Sequence, residues 1–124
     1  LYIGMHATWD VYNCDANKLS FVPHIKKTLH AITATLGLEE INEAFKQFEP
    51  IGVTGFILLA ESHISIHTWP EHNYAAVDVF SCKPFDVGIV TKALKVLLAS
   101  DEVKANVLER GKLSVAKKTS LPPK

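Results

Sequence analysis

The chain has no excess of charge of either sign. Lys plus Arg number 13 and Asp plus Glu number 13, for a formal net charge of zero. That balance supplies no electrostatic footprint for nucleic acid or an anionic membrane, and neither is expected as a partner. Long apolar runs are missing too: the longest, Phe56 to Ala60, is far too short to cross a bilayer. Only two cysteines occur, Cys14 and Cys82, which excludes a disulfide framework and makes a reducing, cytoplasmic setting the expectation. There is no internal repeat and no linker. No signal-peptide pattern opens the chain, whose residue 1 is Leu rather than Met. What is present is apolar material: 48 % of 124 residues, enough for the core of a single domain over 1–124. A domain of this size has little room for a deep private cavity, so a site shared between two copies fits it.

Periodicity divides the chain into short elements. Met5, Ala7, Trp9 and Val11 alternate with His6, Thr8, Asp10 and Tyr12, the pattern of a half-buried strand. Phe21, Ile25, Leu29, Ile32 and Leu36 recur at helical spacing. Ser20 is the expected N-cap, Pro23 lies in the first turn and Gly37 is the stop. From Leu38 to Phe48 the local pattern reads as helix, although the aromatics and the turn region Pro50 to Gly55 also suit a strand. Phe56 to Glu61, Ile64 to His67 and Tyr74 to Cys82 read as strands, with a turn over Pro70 to Asn73. Asp86 is placed to cap a second helix carrying Ile89, Val90, Ala93, Leu94, Leu97 and Leu98. Val103, Ala105 and Val107 suggest a last strand before Gly111, and the basic tail 112–124 is expected to be loosely ordered. The order implies an α+β two-layer sandwich, a mainly antiparallel sheet with two helices on one face.

Chemistry-bearing residues concentrate between Gly52 and Cys82: Glu61, Ser62, His63, His67, Trp69, Glu71 and Cys82. From residue types alone three readings stand. A hydrolase would use Ser62, His67 and Asp78, but Ser62 lacks the Gly-x-Ser-x-Gly elbow. A metal site would draw on His63, His67 and His72, with Cys82, but no ligand-spacing motif accompanies them and no metal is expected. The third reading is a strand pair whose histidines are ordinary polar positions.

The block Glu61-Ser62-His63-Ile64-Ser65-Ile66-His67-Thr68-Trp69-Pro70-Glu71, followed by Tyr74-Ala75-Ala76-Val77-Asp78-Val79-Phe80-Ser81-Cys82, closely resembles the prokaryotic S-adenosylmethionine decarboxylases. The similarity begins at Phe48 and Gly52-Val53-Thr54-Gly55. It is looser at Gly4, His6 and Cys14-Asp15, and weak beyond Cys82.

The resemblance implies a self-processing proenzyme. Ser62 Oγ would attack the Glu61 carbonyl, and β-elimination of the resulting ester would leave a pyruvoyl group in place of Ser62. The products would be Leu1 to Glu61 and a pyruvoyl-capped remainder. His67 matches the family residue that takes the α-proton, work that suits a neutral imidazole. Thr54 stands where the family usually has Ser, whose hydroxyl assists the acyl shift; its extra methyl implies slower processing. In turnover the pyruvoyl carbonyl would form a Schiff base with the substrate amine and accept the electrons released with CO2. Cys82 matches the residue that returns a proton to the α-carbon. Phe48 and Trp69 match positions near the adenine, Glu71 the acid that binds the ribose hydroxyls, and Glu61 also borders the substrate. Tyr2 or Ile3 would reach the ligand from the chain start. The resemblance further implies a homodimer with each site near the interface, and a strand over Leu38 to Phe48. The strand is adopted here, because sheet packing overrides weak local propensity.

The match departs at several places. Lys46 lies where His is common, Lys83 where Gly commonly follows the cysteine, and Asp10 where Glu is common. The Gly-Asp-rich loop after the cysteine is missing. These differences bear on substrate rather than processing, so S-adenosylmethionine competes with ornithine or arginine. A non-catalytic, unprocessed homologue is the alternative outside catalysis.

Overall fold

The computed structural model describes residues 1–113, so most of the basic tail expected to be loose lies outside the described residues. Six strands form one sheet: β1 (Tyr2–Tyr12), β2 (Glu40–Gln47), β3 (Val53–Leu59), β4 (Ser62–Trp69), β5 (Tyr74–Ser81) and β6 (Glu102–Lys112). Their spatial order is β2-β3-β4-β5-β1-β6, and every neighbouring pair is antiparallel. Three helices accompany them: α1 (Ala16–Leu19), α2 (Val22–Leu36) and α3 (Val87–Leu97). The expected two-layer α+β sandwich is therefore observed, with one short extra helix.

Alternation along the strands sets the core. In β1, Met5, Ala7, Trp9 and Val11 are buried, and in β5 Ala75, Val77, Val79 and Ser81 are buried. Ile57 of β3 and Ile64 and Ile66 of β4 join them. Against this face α2 lays Ile25, Leu29 and Ile32, while α3 contributes Val90 and Leu94. Trp9 Nε1 donates to Thr91 Oγ1 at 2.9 Å and ties β1 to α3. Among the described residues, the opposite face of the sheet has no helical layer. It leaves Phe56, Leu58, Trp69 and Leu108 well exposed.

The helix ends correct one expectation. Ser20 is not the N-cap of α2; it closes α1, and its Oγ donates to the Ala16 carbonyl at 2.6 Å. The N-cap of α2 is Phe21, which supplies no side-chain acceptor. Gln47 Oε1 takes over that role, accepting from the Val22 amide at 2.9 Å, while Gln47 Nε2 donates to the Ser20 carbonyl at 2.8 Å. Pro23 in the first turn of α2, its left-handed Gly37 stop (φ 67°) and the Asp86 cap of α3 are as expected.

The segment with helical spacing is strand β2. Its apolar residues form no buried stripe: Ile41 and Phe48 are exposed, and Phe45 packs against the core. Pairing with β3 from Glu40 to Gln47 satisfies its backbone. His30 of α2 braces this edge strand, with Nδ1 at 2.8 Å from Glu40 and Nε2 at 2.7 Å from Glu43. The final strand is longer than the sequence suggests. It runs through Gly111 to Lys112, so Lys112 belongs to the sheet.

Thr68 shows how the core fixes the neighbouring surface. It is buried between exposed His67 and Trp69. Its Oγ1 accepts from the Val53 amide at 2.9 Å and donates to the Leu19 carbonyl at 2.8 Å. Replacing Thr68 by the near-isosteric Val strands both partners. Urea unfolding of Thr68→Val is expected to show a loss of about 1–3 kcal/mol.

Candidate functional site

The residues singled out by sequence fall into two groups at opposite ends of β4. The first surrounds the two-residue hairpin Ala60–Glu61 between β3 and β4. Glu61 has φ 63°, a left-handed conformation that costs a non-glycine residue on the order of 1–3 kcal/mol. Its carbonyl oxygen accepts a hydrogen bond from Cys82 Sγ at 3.1 Å. Ser62, the next residue, donates from Oγ to Ser81 Oγ at 3.2 Å, and Ser81 Oγ also accepts from the Lys83 amide at 3.1 Å. A cleft of about 420 Å³ opens here, with Glu61, Ser62, Ser81, Cys82 and Lys83 on its wall. On the far side of Cys82 a smaller hollow of about 250 Å³ is lined by Tyr2 and Ile3, so the chain start does flank this end.

Ser81 was absent from the sequence-derived list. The signal for it is positional: it has the parity of buried Val77 and Val79 and directly precedes Cys82.

The second group lies where β4 ends. Thr54 on β3 pairs with His67 on β4, and Thr54 Oγ1 is 3.1 Å from His67 Nδ1. A cleft of about 620 Å³ holds Phe48, Thr54, His67, Trp69 and Glu71 together. Phe48 and Trp69 are 46 % and 40 % exposed, which leaves their rings free for a ligand. Glu71 sits in a short 3-10 turn over Pro70–His72, the observed form of the expected turn. Trp69 stacks on Tyr74 at 5.6 Å between ring centroids, and the Tyr74 hydroxyl donates to Asp10 at 2.5 Å. Burial first, and then that bond to Asp10, push the Tyr74 phenol up to about 12.

The two groups do not meet within one chain. Ser62 and His67 are five residues apart on a single strand, about 17 Å at the usual rise. Alternation also assigns them to opposite faces, Ser62 with buried Ile64 and Ile66, His67 with exposed Trp69.

The hydrolase arrangement is not formed either. Asp78, its required third member, accepts from Ser65 and has His6 Nε2 at 2.7 Å and His63 Nε2 at 3.1 Å. Burial raises the Asp78 carboxyl, but these three partners outweigh it and hold the group below the usual carboxylate range. The histidine set weighed for a metal is likewise dispersed: His67 is with Thr54, His72 is in the turn, and Cys82 is on the Glu61 carbonyl. Cys14 is buried, and that burial raises its thiol to about 11, an inert core position. Among the described residues no helix is long and apolar enough to cross a membrane.

Comparison with known proteins bears on this constellation directly. The family model for S-adenosylmethionine decarboxylase matches residues 5–111, well past Cys82, where the motif resemblance fades. An S-adenosylmethionine decarboxylase proenzyme of Persephonella marina is 40 % identical over 120 residues, covering 95 % of this chain and 90 % of the relative. One from Caldanaerobacter subterraneus is 40 % identical over 114 residues, with 87 % and 92 % covered. The crystal structure of the adenosylmethionine decarboxylase from Aquifex aeolicus superposes with a TM-score of 0.81 at 36 % identity, covering 95 % of this chain and 98 % of that one. With the family model matched over residues 5–111 and relatives 40 % identical over most of both chains, the chain belongs to the S-adenosylmethionine decarboxylase family.

Proposed function

We propose that the chain cuts itself between Glu61 and Ser62 and then, as a pyruvoyl-dependent carboxy-lyase, decarboxylates S-adenosylmethionine. The product would supply aminopropyl groups for spermidine synthesis in the cytoplasm. The observation that carries the reading is the hairpin itself. A left-handed Glu61 presents its carbonyl to the Cys82 thiol, and Ser62 follows immediately.

Those residues fit the formation of a pyruvoyl group. A hydrogen bond from Cys82 draws electron density toward the Glu61 oxygen and stabilises the negative charge that develops there when Ser62 Oγ attacks. The Glu61–Ser62 C–N bond breaks as the Glu61 ester forms. Loss of the Ser62 α-proton expels the Glu61 carboxylate from Cβ. Water then replaces the α-nitrogen, which leaves as ammonia. Relief of the left-handed Glu61 backbone favours the forward direction. Once formed, the pyruvoyl group supplies the electron sink for loss of CO2. Cys82, with its thiol beside position 61, is the group to return a proton to the substrate α-carbon.

A base for the α-proton has to come from elsewhere, because His67 of the same chain is about 17 Å away along β4. A second copy supplies it in this reading, bringing Thr54, His67, Phe48, Trp69 and Glu71 to the partner's Ser62. The helix-free sheet face with exposed Phe56, Leu58 and Trp69 favours such a homodimer. Phe48 and Trp69 offer faces to adenine and to the sulfonium charge, and Glu71 offers a carboxylate to the ribose hydroxyls.

Three outcomes test the reading. Intact mass after incubation is expected to give two fragments whose masses sum to the precursor plus water minus ammonia, while Ser62→Ala stays one chain. A single uncut wild-type mass would favour a non-catalytic homologue. Co-expression of His67→Ala with Ser62→Ala chains is expected to restore cutting of the His67→Ala chain, since a mixed dimer holds one intact pair; persistent absence of cutting defeats site sharing. CO2 release from S-adenosylmethionine, ornithine and arginine is expected to favour the nucleoside by more than roughly tenfold in kcat/KM, the worth of about 1.4 kcal/mol. Preference for ornithine or arginine would reassign the chain as a pyruvoyl-dependent amino-acid decarboxylase.

A further inference from the structure

Away from both clefts, three neighbouring strands each contribute one donor to a cluster on the helix-free face: His6 from β1, His63 from β4 and Asp78 from β5. Their ligand atoms all lie within 4.8 Å of one another. Both imidazoles aim Nε2 at the same carboxylate oxygen, His6 at 2.7 Å and His63 at 3.1 Å. Donors around a tetrahedral zinc, each at about 2.0–2.1 Å, stand roughly 3.3 Å apart, so His63 is already near that spacing from the shared Asp78 oxygen and His6 has to draw back from it by about half an ångström.

The rings are held in place before any ion arrives. His63 is stacked between Phe56, at 5.5 Å and 21°, and Phe80, at 6.0 Å and 10°. His6 stands edge-on to Phe80 at 5.5 Å. Phe80 can occupy this position because residue 4 is glycine: a Cβ there would lie 2.7 Å from the Phe80 ring. Ser65 donates to the second oxygen of Asp78 and orients the carboxylate. Side-chain exposures of 20 %, 34 % and 21 % for His6, His63 and Asp78 make the cluster part-buried in a single chain, on the sheet face that the proposed homodimer would cover.

We propose that His6, His63 and Asp78 form a binding site for a borderline divalent cation of the zinc class, which clasps β1, β4 and β5 just beyond the Ser62 hairpin. Two imidazoles and one carboxylate suit such ions and are poorly suited to the all-oxygen preference of magnesium or calcium. Arg110 is the competitor. Its Nη1 lies 3.1 Å from His6 Nδ1, and because a guanidinium only donates, the His6 ring proton is held on Nε2 facing Asp78. Coordination requires that proton to move to Nδ1, which displaces Arg110. The His63 proton shifts from Nε2 to Nδ1 in the same way. Each shift only relocates a proton between the two nitrogens of one ring, so the exchange needs no oxidant.

The test is calorimetric titration of the full-length protein with zinc alone, paired with the visible absorption of the cobalt-substituted protein. One ion per chain is expected, with the intense absorption of tetrahedral cobalt bound through nitrogen and oxygen. His6→Ala and Asp78→Asn are each expected to weaken binding by more than roughly tenfold. Arg110→Ala is expected to tighten it, a change that no misfolded variant mimics. Absence of binding to the wild type overturns the proposal, as does binding that His6→Ala and Asp78→Asn leave unchanged. A cobalt spectrum dominated by a thiolate charge-transfer band would also overturn it, by moving the ion to Cys82.

Discussion

The straightness of β4 is the constraint on which the rest of the site depends. An extended strand adds about 3.3 Å per residue and turns each successive side chain to the other face. Pairing with β3 on one side and β5 on the other leaves β4 no freedom to fold back. Everything at its start is therefore held away from everything at its end. The start receives the strained hairpin, the thiol and the serine pair. The end receives the aromatic cleft and the hydroxyl–imidazole pair. The same pairing that stabilises the strand divides the two groups of residues, and in the proposed mechanism it would make a lone chain an incomplete catalyst.

Buried groups reinforce this division. Thr68 anchors the end of β4 to β3 and to α1, and so fixes His67 and Trp69 on the surface on either side of it. Ser81 anchors the start, joining Ser62 to the turn that carries Cys82 and Lys83. Both are small hydroxyl residues at core parity. Each links two backbone segments that would otherwise diverge into separate loops.

Much of this was legible in the sequence, for reasons that can be stated. The alternation of β1, β4 and β5 marks one buried face, and the Asp86 and Gly37 helix boundaries follow from local chemistry. Glu61, Ser62 and Cys82, which the resemblance names, lie together at the start of β4. What escaped depends on long-range pairing. The acceptor for the start of α2 lies on Gln47, 25 residues downstream, so a scan for capping residues settles on Ser20 instead. The segment from Leu38 to Phe48 carries helical spacing, yet only its pairing with β3 decides its form. His6 and Asp78 are 72 residues apart, and no spacing rule connects them. A motif also reads as one site when its letters are adjacent, whereas on a strand adjacency in sequence becomes separation in space, as with Ser62 and His67.

If the chain cuts itself as proposed, the strand order has a consequence for the cut protein. Strands β1 to β3 would belong to the N-terminal piece and β4 to β6 to the C-terminal piece, yet β1 lies between β5 and β6. The pieces would thus interlock along three seams: β3 with β4, β5 with β1, and β1 with β6. Maturation would turn a single chain into two inseparable partners without moving the sheet. Recovery from unfolding would no longer be an intramolecular event, since the pieces would first have to find each other in solution. Cutting would therefore leave the native state intact while removing the way back to it.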